Sequence, residues 1–305
     1  MKISRRTFML AGAGAVVATG ASVAGSPRFL KDTTADFEYV STTISSPAIP
    51  RSLNGFQFGF LTDIHYGATF AREWIVDIVT ALNREKLDLI LLGGDYLWIP
   101  ESTLSRTVLE VRNREFARAT SLSFVRPLYH ALAQEVGLLR SRLGTFAILG
   151  NHDRWLSAGV CASELKQQGI TLLVNQGIRF EQAPALELFG VDDYWNGIPR
   201  IPEPYTTIDD SVYRIFLCHN PDFLDGASKI LPYHLAACGH THGGQIQLPV
   251  LGALTYNISD SRYQTGLHQN GDLQHVYTSR GLGHVEIPFR INCRPEVSLF
   301  ELRSI

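Results

Sequence analysis

Leu235-Ala236-Ala237-Cys238-Gly239-His240-Thr241-His242-Gly243-Gly244-Gln245 sets a short apolar run against a polar turn that carries two histidines. The run has the length and composition of a buried strand. In an extended continuation His240 and His242 would share one side, because residues two apart lie on one face of a strand. The flanking glycines let the backbone come close, and two neutral imidazoles there suit two adjacent cations better than one. A lone His-x-His is more often a polar turn. Here Asp63-Ile64-His65, Gly93-Gly94-Asp95, Gly150-Asn151-His152-Asp153 and His219-Asn220 repeat the same design. Each places Asp, His or Asn directly after an apolar run.

Residues 56–62, 87–92, 145–149, 170–174, 186–191, 213–218 and 235–238 read as strands, and 273–277 and 296–302 close the domain. Residues 37–44 alternate as a first strand at an edge. Trp74, Ile75, Ile78, Val79 and Leu82 recur at helical spacing within 71–86, and 162–168 is a short helix. Between 100 and 143, Arg106, Glu110, Arg112, Arg114, Glu115 and Arg118 read as the solvated face of helices. Asp192-Asp193-Tyr194-Trp195-Asn196-Gly197 opens a proline-rich loop to residue 204, with aromatics that either pack the loop or stack on a substrate. Strands alternating with helices imply an α/β layered fold, in which ligands gather beyond the carboxyl ends of the strands. All five polar motifs fall there.

The 305 residues are 45% hydrophobic and 18% charged, enough for a full core and against general disorder. A net charge of −2 gives no electrostatic grip on nucleic acid, so a small-molecule or lipid-type substrate is expected. Ser4-Arg5-Arg6-Thr7-Phe8 followed by the apolar stretch 9–23 reads as a twin-arginine export signal, with Ser22-Val23-Ala24 as its cleavage site. An uncleaved signal would serve as a membrane anchor. Cleavage after residue 24 removes Lys2, Arg5 and Arg6 and no acid, taking 27 bases to 24 against 29 acids, a net charge of −5. The domain expectation is therefore a signal over 1–24, a linker and edge strand over 25–54, and one catalytic domain over 55–305. Cys161, Cys218, Cys238 and Cys293 form no Cys-x-x-Cys pair and read as small buried hydrophobes.

Asp63, His65, Asp95, Asn151, His152, His219, His240 and His242 gather at strand ends and include five of the ten histidines. Carboxylate, imidazole and amide oxygen together suit Mn, Fe or Zn, whereas structural zinc favours cysteine. They are too many for one tetrahedral ion. Two divalent ions sharing a carboxylate fit the number, and such pairs are the usual machinery of phosphoryl displacement.

The five motifs, in order, resemble those of the calcineurin-like metallophosphoesterases: D-x-H, G-D, G-N-H-[DE], H and G-H-x-H, spanning Asp63 to His242. The resemblance implies a two-sheet β-sandwich flanked by helices in four layers. It implies Asp63, His65 and His242 around a first metal, Asn151, His219 and His240 around a second, and Asp95 between them. His152 would lie near the leaving group as the catalytic acid, with a metal-bridging hydroxide attacking phosphorus. Protein phosphatases of this family read G-D-x-x-D-R, whereas Asp95 is followed by Tyr96-Leu97-Trp98-Ile99, which argues against that activity. The Gly-His-Thr-His-Gly-Gly-Gln form and Pro288-Phe289-Arg290-Ile291-Asn292-Cys293-Arg294-Pro295-Glu296 look like the bacterial envelope branch, which includes phosphodiesterases and enzymes that cleave a lipid-linked pyrophosphate. The expectation is thus a phosphodiesterase or pyrophosphatase in the periplasm or at the outer face of the inner membrane, in contact with the twin-arginine export machinery and, at need, a membrane surface. The competing readings are a catalytically silent metal-binding scaffold, whose mark would be a lost ligand, and a nucleic-acid-binding protein, against which the acidic charge argues.

Overall fold

A computed structural model describes residues 30–67, 70–99, 114–201, 205–207, 209, 211–224, 233–259 and 261–305, and of 114–121 and 261 the backbone alone. The twin-arginine segment and Arg106, Glu110 and Arg112 lie outside these residues, while Arg114, Glu115 and Arg118 fall in the helix Arg114–Val136.

Two six-stranded sheets carry the chain. The first runs in the order Glu38–Ser46, Glu296–Ser304, Gln57–Leu61, Leu89–Leu92, Thr145–Ala147, Thr171–Leu172. Its neighbours are parallel except Glu296–Ser304 against Gln57–Leu61. The second runs Gly266–Gln269, His275–Thr278, Leu235–Cys238, Tyr213–Leu217, Ala183–Gly190, Gln176–Phe180, parallel in the middle and antiparallel at both edges.

Phe58, Phe60, Leu89, Leu91 and Phe146 of the first sheet pack on Leu188, Ile215, Leu217, Leu235 and Ala237 of the second. Alternate residues serve the other face: Leu61, Ile90, Leu92 and Ala147 meet the helices Arg72–Leu82, Arg114–Val136 and Ala158–Gln167 through Ile75, Ile78, Tyr129, Leu132 and Leu165. Strands buried on both faces read as unbroken apolar runs, which is why the inner ones are visible in the sequence. The outer face of the second sheet, with Phe189, Phe216, Ala236 and Val276, lies under Leu224, Tyr233 and Tyr263, and Tyr205 stacks on Phe189 at 4.5 Å. The fold is the expected α/β, two-sheet architecture.

Three local differences have physical reasons. The helix expected at 162–168 begins at Ala158, because the Ser157 side chain accepts from Val160 N at 3.4 Å and caps it. Gln176–Phe180 and Gly266–Gln269 were not expected as strands. They are edges, half-exposed and mixed in polarity, so no apolar run marks them. Finally, the His240 segment is not extended. His240 and His242 take φ of 71° and 53°, with Thr241 helical between them, so the two rings part instead of sharing a face.

Candidate dimetal centre

The carboxyl ends of strands from both sheets converge, and the polar turns that follow them interlock. Asp63, His65, Asp95, His240 and His242 all take left-handed φ between 48° and 71°. Each such residue costs of order 1 kcal/mol, a strain that concentrates where side chains must be aimed. Gly150 and Gly239 make room for this crossing, since a Cβ on the first would overlap the Asp95 carboxylate and on the second that of Asp63.

One group of side chains gathers Asp63, His65 and His242, all buried. His65 Nε2 faces His242 Nε2 at 3.2 Å, and Asp63 Oδ1 lies 3.5 Å from His242 Nε2 and 3.9 Å from His65 Nε2. Asp63 is held by Thr62 Oγ1, which donates at 2.8 Å, and by His240 N, which donates to both oxygens at 3.0 Å. A second group gathers Asp95, His219 and His240. Asp95 Oδ2 is 3.1 Å from His219 Nε2, and His240 Nδ1 is 2.9 Å from Asn151 Oδ1. Asp95 also reaches the first group, with Oδ2 3.6 Å from His65 Nε2. Its other oxygen accepts from His152 N at 2.8 Å. All eight residues singled out by sequence therefore meet in one place, and Asp95 stands between the two groups.

The electrostatics fit cations. Burial above all holds His65 and His242 well below the usual histidine range, and burial brings His240 down to about 3. These rings are neutral and offer lone pairs. Burial above all, and then the neighbouring Asp95, push Asp63 up to about 6 against the opposing pull of His219. Burial opposes protonation of His219, yet Asp95 and Asp63 outweigh it and raise its pKa well above normal. His219 Nδ1 lies 2.8 Å from Gly93 O, a hydrogen bond that turns Nε2 into the site. Among the described residues, His240 Nε2 is buried without a hydrogen-bond partner. Neutral imidazoles turned nitrogen to nitrogen, crowded carboxylates and an orphaned ring nitrogen are together the donor set that two divalent cations would satisfy.

Residues 56–244 match the family model described as calcineurin-like phosphoesterase. The chain belongs to the calcineurin-like phosphoesterase family. It is a hydrolase acting on phosphoric ester bonds, in a family that depends on two metals, and the two side-chain groups fit that requirement. The chain is 34% identical to the phosphodiesterase YaeI of Escherichia coli over 81% of this chain and 82% of that one. It is 30% identical to the uncharacterized metallophosphoesterase YkuE of Bacillus subtilis over 99% of both. Among solved structures, a dimetal phosphatase from Danio rerio aligns over 75% of this chain and 88% of that one, at 12% identity and TM-score 0.46, a likeness too slight to bear on the site.

Three supporting residues had no role in the sequence reading. Asp153, fully buried, accepts from Gly150 N at 2.9 Å, Asp95 N at 2.8 Å, Tyr96 N at 3.1 Å and Tyr129 Oη at 3.1 Å. It ties the Asp95 turn to the Asn151 turn, and burial beside Asp95 pushes its pKa up to about 7. Asp153→Ala would strand those four donors, so a loss of at least about 3 kcal/mol of unfolding free energy is expected. Denaturant titration reads it, and a loss under about 1 kcal/mol would remove Asp153 from this role. Asp193, buried and accepting from Trp195 N at 2.9 Å, follows an apolar strand just as the five motifs do, which was the signal available for it. Arg290 is wholly buried, donating to Gly283 O, to Arg280 O at 2.7 Å and to His242 O at 3.3 Å, and so fixes the His242 turn. All four cysteines are free and buried, with Cys218 and Cys238 Sγ 3.3 Å apart.

Beside the two groups opens a cavity of about 250 Å³ lined by Trp98, Ile99, Asn151, His152, Trp155, Asn196 and Glu286. Trp195, half-exposed, sets its ring edge-on to His240 at 4.3 Å, and Arg154 binds Asp192 at 2.7 Å to hold that loop over the site.

Proposed function

We propose that the chain is a phosphodiesterase acting in the cell envelope on a lipid-linked or nucleotide-type diester or pyrophosphate, reached by twin-arginine export. The observation that carries this reading is Asp95, set between the two side-chain groups, with Asn151 and His152 beside them lining an open cavity. Asp63, His65 and His242 would hold one ion, Asn151, His219 and His240 the other, and Asp95 both. When bound, the two cations supply Lewis acidity toward phosphoryl oxygens and activate the attacking water. The chain's own residues do the rest. His152 lines the cavity and would give a proton to the departing oxygen. Trp98 and Ile99 stand where protein phosphatases of the family carry Asp and Arg, so the cavity offers an apolar wall to the ester group in place of a phosphate clamp. That wall favours a diester, whose second substituent needs cover, over a monoester dianion, which needs cations. The name of the Escherichia coli relative points the same way.

A panel of substrates tests the reading. With protein reconstituted in Mn, Fe or Zn, bis(p-nitrophenyl) phosphate should be turned over at least about tenfold faster, by kcat/KM, than p-nitrophenyl phosphate. A preference for the monoester of the same size would count against it. Export is tested separately: lysines at Arg5 and Arg6 should leave the protein in the cytoplasm, and unchanged export of that variant would refute the route.

A further inference from the structure

Residues 247–253 form a small hairpin whose strands are Gln247–Leu248 and Gly252–Ala253. Its tip is apolar and stands in solvent. Val250 is fully exposed, Leu251 is 78% exposed and Leu254, just beyond, 54%. Single exposed aliphatic residues are ordinary, but three on one protruding turn are not. Val250 also takes φ of 69°, a left-handed backbone that β-branched residues rarely adopt, so the turn holds its side chain outward at a cost in strain. No charged residue occurs from Ile246 to Tyr256.

Two sets of bonds fix where this tip stands. Gln247 N donates to Ile291 O at 2.9 Å, and Asn292 Nδ2 donates to Gln247 O at 3.1 Å. The same Asn292 exchanges bonds with Lys31, backbone N to Lys31 O and Lys31 N to its Oδ1, both 2.9 Å. Lys31 therefore lies beside the hairpin's root, and the sequence before it holds the apolar stretch 9–23. On the other side, Gln245 Nε2 donates to the carbonyls of Val285, Ile287 and Phe289 at 3.1, 2.9 and 3.3 Å, which flank the cavity residue Glu286. The hairpin thus stands between the Lys31 segment and the rim of the site. Trp155, on the cavity wall, and Trp195 are each about half exposed, amphipathic rings of the kind that settle at a membrane interface.

We propose that Val250 and Leu251, with Leu254 behind them, insert into the interfacial layer of a lipid bilayer and set the mouth of the site against the membrane surface. The attachment is by burial of apolar side chains and not by charge, so it survives salt that screens ionic contacts. Its consequence for catalysis, preferential access to diesters carried in the bilayer, rests on the phosphodiesterase reading above. The attachment itself does not.

The test uses the full chain with Leu251→Cys carrying an environment-sensitive fluorophore, a selective label because the native cysteines are buried. The control site is Lys166→Cys, exposed on a helix packed against the far face of the first sheet. Vesicles of phosphatidylethanolamine and phosphatidylglycerol contain a shallow spin-labelled lipid as quencher. The expected result is several-fold quenching at Leu251, equal at low salt and at about 0.5 M salt, with none at Lys166. A chain that sediments with vesicles while the Leu251 probe stays unquenched would overturn the proposal, and so would a chain that does not sediment. A blue shift without lipid, together with a doubled mass, would assign the tip to contact between two copies and overturn it equally. Val250→Ser with Leu251→Ser should slow hydrolysis of a vesicle-borne phosphodiester at least about tenfold and leave soluble bis(p-nitrophenyl) phosphate within about twofold. Equal loss on both substrates would make the hairpin a structural part of the site and reject the proposal. If the unaltered chain ignores the soluble diester, the functional reading fails while the quenching result stands.

Discussion

Asp95→Asn is expected to cut phosphodiester turnover by about a thousandfold or more and to lower metal content below two ions per chain. Asp95 Oδ2 lies 3.1 Å from His219 Nε2 and 3.6 Å from His65 Nε2, so a single oxygen serves both ligand groups. Its partner oxygen is occupied by His152 N at 2.8 Å, which fixes the direction in which Oδ2 points. An amide there keeps the shape and loses the negative charge between two cations. The loss of several kcal/mol of charge stabilisation corresponds to about three powers of ten in rate. Against the cost of burial, His219, His152 and His65 together hold the Asp95 pKa well below normal, so its charge is what the surrounding groups are arranged around. Elemental analysis and kinetics on one preparation read both effects. Two ions retained with activity within a few-fold of the parent would show that Asp95 is not shared.

His152→Ala is expected to keep both metals and to slow alkyl esters by about 10²- to 10⁴-fold. Its ring lines the cavity, stands edge-on to His65 at 5.0 Å and to Trp155 at 6.0 Å, and has Nδ1 buried without a hydrogen-bond partner among the described residues. It also lies close enough to His65 and Asp95 to join them as a ligand, so the metal content of the variant matters as much as its rate. An acid is needed in proportion to the basicity of the leaving group. Alkoxides cannot depart unprotonated, whereas nitrophenolate can, and the variant should therefore spare nitrophenyl esters. Equal slowing of both, or loss of an ion, would take His152 out of the acid role.

The fold was legible in the sequence wherever strands are buried on both faces. Leu89 to Leu92 and Leu235 to Cys238 are wholly apolar because neighbours cover them on either side, and each announces its end with a motif. The edge strands Gln176–Phe180 and Gly266–Gln269 carried no such pattern, since only one side of each needs to be apolar. The ligand residues were legible as types repeated at strand ends. Their mutual geometry was not, because it is set by backbone conformations that alternation cannot express. The left-handed φ of His240 and His242 sends one ring to Asp95 and the other to Asp63, where an extended reading would have paired them. Asp153 and Arg290 were present in quoted motifs yet had no assigned role, since their function is to satisfy backbone groups brought close only by folding.

On the proposed mechanism, two cations held by these residues are both required for hydrolysis of a phosphodiester. Stripping the protein with a chelator and returning Mn²⁺ stepwise, while following bis(p-nitrophenyl) phosphate hydrolysis, tests it most directly. Activity should stay near zero through the first equivalent, rise with the second and level off at two ions per chain. Full activity in the stripped protein, or a plateau reached at one equivalent, would show that two ions are not required.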